Sequence, residues 1–117
     1  MDYMIADRDK KRCDMLREKI ERNEGVRCAG SFSEEETLLE KACRVLPEVV
    51  LIYVGDSHLN AFSALKRFKE IAPGTKVVFY SEESDYAIDA YDKGADYFLL
   101  LPAEDIKIYK MINRYIL

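Results

Sequence analysis

Apolar and polar positions follow two alternating rhythms along this chain. Five short apolar runs, at 3–6, 26–32, 49–54, 76–80 and 97–101, are separated by stretches in which apolar residues return every third or fourth position. The run at 49–54, Val-Val-Leu-Ile-Tyr-Val, is unbroken and rich in β-branched residues, as expected of a strand buried on both faces of a parallel sheet. Pro47 and Glu48 punctuate its start, and Gly55, Asp56 and Ser57 its end. The run at 26–32 alternates only weakly and reads as an edge strand.

The intervening stretches carry helical spacing. Cys13, Leu16 and Ile20 mark the inner face of a helix over 10–24, with Asp9 as its cap and Gly25 as its stop. Ser33 and Glu36 predict a capping box, followed by a helix to Val45 with Leu38, Leu39, Ala42 and Val45 inward. Asn60 caps a third helix through Ala61, Leu65 and Phe68, which Ala72-Pro73-Gly74 breaks. Ser84 is expected to cap a short fourth helix ending at Gly94. The fifth starts near Glu104 with Ile108, Met111, Ile112 and Tyr115 inward. Strand and helix thus alternate five times, which predicts one α/β domain over 1–117: a parallel five-stranded sheet between two helical layers. Five strands favour the flavodoxin-like order 2-1-3-4-5. Residues just past strand ends then become the candidate site: Asp7, Arg8 and Asp9 after the first strand, Tyr53 and Asp56 at the third.

Composition narrows the chemistry. With 18 Lys and Arg against 22 Asp and Glu, the net charge is −4, which gives no footprint for nucleic acid. Lys10-Lys11-Arg12 reads as a solvated basic face. The amino terminus lacks the pattern of a signal peptide, and no apolar run approaches the ~20 residues that cross a bilayer, so a cytoplasmic location without membrane contact is expected. Cys13, Cys28 and Cys43 are expected to be buried thiols. His58 is the only histidine, an exposed loop residue with no nucleophile and orienting acid to make a catalytic set, and no paired ligand spacing suggests a metal. No enzyme activity is expected.

Three segments, at 46–52, 75–81 and 93–102, resemble the receiver domains of bacterial two-component response regulators, and the resemblance runs over nearly the whole chain. It implies a phosphoacceptor aspartate ending the third strand, an acidic pair holding Mg²⁺ after the first, a switch hydroxyl after the fourth and a lysine after the fifth. At those positions stand Tyr53, Asp7 with Arg8, Ser81 and Leu101; the aromatic switch position is Phe98, and Pro102 is retained. Tyr53 cannot form an acyl phosphate, and a phenol of pKa about 10 is neutral at physiological pH. Arg8 would set a fixed positive charge where a cation would sit. The resemblance therefore implies a phosphorylation-deficient receiver, with Mg²⁺ binding weak or absent and no other cofactor. Arg8 is expected to neutralise Asp7, Asp9 or Asp56 as an ion pair, the rival being a displaced metal site. The expected role is a protein-interaction module in two-component signalling. An active receiver with an atypical acidic site, or a small-ligand binder on the same fold, are the alternatives; against the latter, no glycine-rich loop follows the first strand.

The expected partner is a signalling protein or histidine kinase, or a second copy, bound through the fourth helix, fifth strand and fifth helix. Asp89, Asp92, Lys93, Asp96, Tyr97, Lys107, Lys110 and Arg114 are the residues assigned to that face. An unpaired outer edge on strand five would favour such contact.

Overall fold

The computed structural model describes residues 1–115. Five parallel strands, β1 (Asp2–Ala6), β2 (Arg27–Phe32), β3 (Val49–Tyr53), β4 (Lys76–Ser81) and β5 (Tyr97–Leu100), form one sheet in the order β2-β1-β3-β4-β5. The helices are α1 (Lys10–Glu21), α2 (Glu35–Val45), α3 (Ala61–Ile71), α4 (Ala87–Asp92) and α5 (Asp105–Tyr115). This is the flavodoxin-like α/β arrangement with the topology that the alternation of patterns predicts.

Successive strand residues face opposite sides, and this sorts the core into two layers. Tyr3, Ile5, Leu51, Tyr53, Val78, Tyr80 and Leu99 face α1 and α5, where Leu16, Ile20, Ile108 and Met111 meet them. Met4, Val50, Ile52, Phe79 and Phe98 face α2, α3 and α4, against Leu38, Leu65, Phe68 and Ala90. Tyr53, the last residue of β3, and Tyr80, the last but one of β4, therefore project to the α1 side near the carboxyl ends of the central strands. Burying a Leu, Ile or Phe in either layer is worth about 1.5–3 kcal/mol.

Several local expectations are corrected. α1 ends at Glu21, short of the predicted 24, with Arg22 as its cap. The Ser33–Glu36 capping box does not form: Glu34 occupies the cap position of α2 without a side-chain bond. Glu35 instead accepts from Ser63 Oγ (2.7 Å) and Arg67 (2.9 Å), and Glu36 pairs with the same Arg67, so these acids tie α2 to α3. Ser84 opens a single 3₁₀ turn, Ser84–Tyr86, rather than capping α4. α2 ends at Leu46 in the left-handed region (φ 52°), where Pro47 disfavours continuing the helix. Gly94, at φ 100°, turns the chain from α4 into β5 without a Cβ to oppose it. Of the three thiols only Cys13 is buried; Cys28 is half-buried and Cys43 exposed.

Candidate functional site

β1 ends at Ala6, and the next residue, Asp7, turns inward: its side chain is 0% exposed. Its backbone N–H donates to the Phe32 carbonyl (2.9 Å), which ties the residue to the end of β2. Two residues on, Asp9 caps α1 by accepting from the Arg12 N–H (3.0 Å). Arg12 thus sits on the first turn of α1. Helical side chains lean toward the amino terminus, so its guanidinium reaches back over the end of the sheet.

There it makes a two-point pair with Asp7: Nε donates to Oδ2 at 2.8 Å and Nη2 to Oδ1 at 2.5 Å. The Tyr80 hydroxyl donates to the same Oδ2 (2.7 Å), and the Asp9 N–H to Oδ1 (2.8 Å). Every lone-pair direction of the carboxylate has a donor nearby, which is what a buried charge requires. The guanidinium carbon also lies 3.3 Å from the centre of the Tyr53 ring, a stacked cation–π contact, and Tyr53 meets Tyr80 edge-on at 5.5 Å. Glu82 closes the group from outside, its Oε1 accepting from the Tyr53 hydroxyl (3.2 Å) and from Arg12 Nη1 (3.3 Å).

The electrostatics are self-contained. Burial works against the Arg12 charge, and the Asp7 carboxylate overcomes it, so Arg12 is held more firmly protonated than usual. Burial and then the Asp7 carboxylate push the Tyr80 hydroxyl far above its ordinary range. Burial likewise raises Tyr53, with Arg12 opposing. Both phenols are neutral, and one buried carboxylate faces one fixed cation.

Of the three acids that Arg8 was expected to neutralise, it pairs with Asp56, at 3.7 Å and exposed; the buried Asp7 is taken by Arg12 instead, which corrects the expected stand-in at Asp7. Asp56 is turned to its own loop, accepting from the His58 N–H (2.8 Å), and Asp9 is occupied in capping α1. The structure thus gathers Asp7 and Tyr53, leaves Arg8 and Asp56 outside, and adds Arg12, Tyr80 and Glu82, which the sequence reading passed over. A usable signal existed for Arg12, since its position three after a helix-capping Asp aims it at the end of β1. Among the described residues no group of three or more His, Cys, Asp or Glu is arranged around a possible metal ion.

The other residues that the resemblance singles out, Ser81, Phe98 and Leu101, are apolar or closed. Ser81 is buried, its Oγ accepting from the Glu83 N–H (3.2 Å). Phe98 packs inward against the α3–α4 layer. Leu101 is half-buried, directly follows β5, and is joined to Pro102 by a cis bond. On the far face, Asp89, Asp92, Lys93, Lys107, Lys110 and Arg114 are exposed, as expected. Asp96 and Tyr97 are less free than expected. Asp96 accepts from the Val77 N–H (2.8 Å) and lies 3.7 Å from Lys69, and Tyr97 rests on Tyr115 at 5.8 Å. The β5 edge is also covered in part, its Phe98 N–H donating to the Tyr91 hydroxyl (3.1 Å).

Comparison with known proteins bears on the fold. The chain superposes on the response regulatory domain of MrkE from Klebsiella pneumoniae with a TM-score of 0.86 at 16% identity, covering 99% of this chain and 95% of that one. The response regulator domain of Thermotoga maritima CheB gives 0.83 at 20% identity over 98% and 95%. The fold is that of a receiver domain. The receiver domain of the response regulator AraT from Geobacillus stearothermophilus agrees, with a TM-score of 0.84 at 21% identity over 97% and 91%. In sequence, the chain is 23% identical over 112 residues to the sensory transduction protein LytT of Bacillus cereus, covering 96% of this chain and 46% of that protein, and equally to LytT of Bacillus anthracis. The chain therefore spans about half the length of these relatives. No protein-family model matches it.

Proposed function

We propose that this chain is a receiver domain of bacterial two-component signalling that has given up the aspartyl-phosphate switch and acts by constitutive protein contact. The observation that carries the reading is the Arg12 guanidinium seated on the Asp7 carboxylate and stacked on Tyr53. Phosphoryl transfer rests on positioning and on neutralising charge with metal and cation. Here the one buried carboxylate is already neutralised, the acceptor position is a neutral phenol, and the position of the phosphoryl-binding lysine is Leu101. Mg²⁺ binding is accordingly weak or absent, and the domain has no catalytic role of its own.

The contact face in this reading is α4–β5–α5. Its exposed apolar groups, Ile88 (75% exposed), Tyr91, Leu100 and Tyr109, are set among Asp89, Asp92, Lys107 and Arg114, a mixture of aromatic and charged groups suited to a protein partner. The partner is a signalling protein, a histidine kinase or a second copy, in a cytoplasmic setting. No helix of the described residues is long and apolar enough to cross a membrane.

The test has two arms. Incubation with acetyl phosphate and Mg²⁺, followed by intact-mass spectrometry, should give no acid-labile adduct. Sedimentation at ~100 μM, where micromolar pairs assemble, should give a complex, with itself or with an added partner, that Asp92→Lys or Arg114→Glu weakens. A phosphoryl adduct on Asp7 or Asp56 restores the active-receiver reading. A monomer that captures no partner through this face removes the interaction reading.

A further inference from the structure

An apolar hollow of about 270 Å³ opens between the first half of α1 and the segment joining β5 to α5. Its floor is Leu16, Ala103 and Ile108, all buried; Met15, 57% exposed, and Leu101 form its walls. The volume is near the lower end of small-molecule sites, roughly 300 Å³ upward, and the site type matches: mostly apolar lining with a few convergent polar groups. Leu101, where the resemblance to receivers implies a lysine, is what makes this end of the hollow apolar.

The polar groups at the hollow are unevenly satisfied. Lys19 donates to the Ala103 carbonyl (2.9 Å) and is fixed in the wall. Lys11 is exposed and has no carboxylate partner among the described residues. Arg12 commits Nε and Nη2 to Asp7, but Nη1 is held only by Glu82 at 3.3 Å and by Asp9 at 3.8 Å. The Glu82 side chain is 58% exposed, so it exchanges this contact for water at little cost. Two cations with spare donors thus border an apolar hollow that a surface carboxylate only partly covers.

We infer that this hollow binds a small amphipathic carboxylic acid, its carboxylate on Lys11 and Arg12 Nη1 and its hydrocarbon part on Met15, Leu16 and Leu101. The ligand carboxylate takes the place of Glu82. Because the same Glu82 oxygen also accepts from the Tyr53 hydroxyl, binding releases the start of the β4–α4 connection from the site. A single ring or a short acyl chain fits the volume. A neutral or cationic analogue of equal length gains the apolar contacts and lacks the displacement of Glu82. The site stands however the α4–β5–α5 face is used.

The test is a titration of the ¹⁵N-labelled chain with octanoate, followed by NMR. Saturable shifts are expected at Met15, Leu101 and Ala103 and at Glu82, with a dissociation constant on the order of 0.1–1 mM, as befits about ten heavy atoms. Octanamide should bind about tenfold more weakly, the value of one charge-assisted contact. Lys11→Ala should weaken octanoate several-fold. Glu82→Gln, which removes the competing anion, should tighten it. No saturation by ~10 mM octanoate overturns the site, ten times beyond the weakest constant expected. Equal binding of octanamide overturns the acid class, and unchanged affinity in Glu82→Gln overturns the displacement. None of these outcomes bears on phosphorylation by acetyl phosphate, so the two readings fail separately.

Discussion

Arg12→Ala is the sharpest perturbation of this molecule. The Asp7 side chain is fully buried, and Arg12 supplies two of its four donors and is, among the described residues, its one charge partner at contact distance. Truncation leaves the carboxylate with the Tyr80 hydroxyl and the Asp9 N–H alone. Breaking one side of a buried pair costs about 3–5 kcal/mol, because the remaining charge is buried without compensation. For a chain of this size that is a fall in Tm of roughly 12–20 °C, at about 4 °C per kcal/mol. Arg8→Ala is the control: its guanidinium is exposed and 3.7 Å from Asp56, so a change within about 0.5 kcal/mol is expected. Removing the guanidinium also reopens the acidic end of the sheet. In Arg12→Ala, 10 mM Mg²⁺ with a dissociation constant near 1 mM would return about 1.4 kcal/mol by mass action, while the unaltered protein stays flat. Thermal unfolding with and without MgCl₂ reads both effects. Arg12→Ala within 1 kcal/mol of the parent, or Arg8→Ala as damaging as Arg12→Ala, refutes the assignment of Arg12 as the cation of the site.

Alkaline stability follows from Tyr80, whose hydroxyl is pushed far up by burial and by Asp7. The folded form keeps its proton where the unfolded form, near pKa 10, loses it. The stability is therefore complete below pH 10 and falls above it by about 1.4 kcal/mol per pH unit for this group; urea unfolding from pH 9 to 11 should show a shallower decline in Tyr80→Phe, and equal slopes would count against the bond to Asp7. Tyr53→Asp places an acid at the end of β3 but leaves Arg12 beside it and Leu101 after β5, so acetyl phosphate with Mg²⁺ should still give no adduct by intact mass. A labelled Tyr53→Asp would mean that Arg12 does not block the chemistry.

What could be read from the chain alone divides along physical lines. Periodicity and punctuation depend on neighbours in sequence, so the strand order, the Asp9 and Asn60 caps and the inward faces of α1, α2, α3 and α5 were legible. The failures are choices between near neighbours that tertiary contact decides. Lys10, Lys11 and Arg12 look alike as a basic cluster, yet only Arg12 has a carboxylate and a tyrosine ring behind it, and the Tyr80 that completes the site is 73 residues from Asp7. Ser33 and Glu36 satisfy a capping rule, but Arg67 on α3 outbids the backbone for the acids. Arg8 adjoins Asp7 in sequence, but at a strand end adjacent side chains diverge. Cys43 has the spacing of its helix and not its inward face.

The nature of the cation decides what kind of device this domain is. A divalent ion and a phosphoryl group are exchangeable, and a site built for them has states that the cell sets by supply. A guanidinium carried on α1 is always present and always charged. Its pairing to Asp7 is set by folding, with neutral Tyr53 and Tyr80 packed on either side and Glu82 balancing the remaining donor. A phosphoryl dianion entering this group would find its one cation already bound and an apolar Leu101 opposite. Any signal that acts here has to compete for what is left, the single Arg12 nitrogen shared with Glu82. That contact is the longest hydrogen bond of the group, and Glu82 is exposed, so it is where a change in the site costs least.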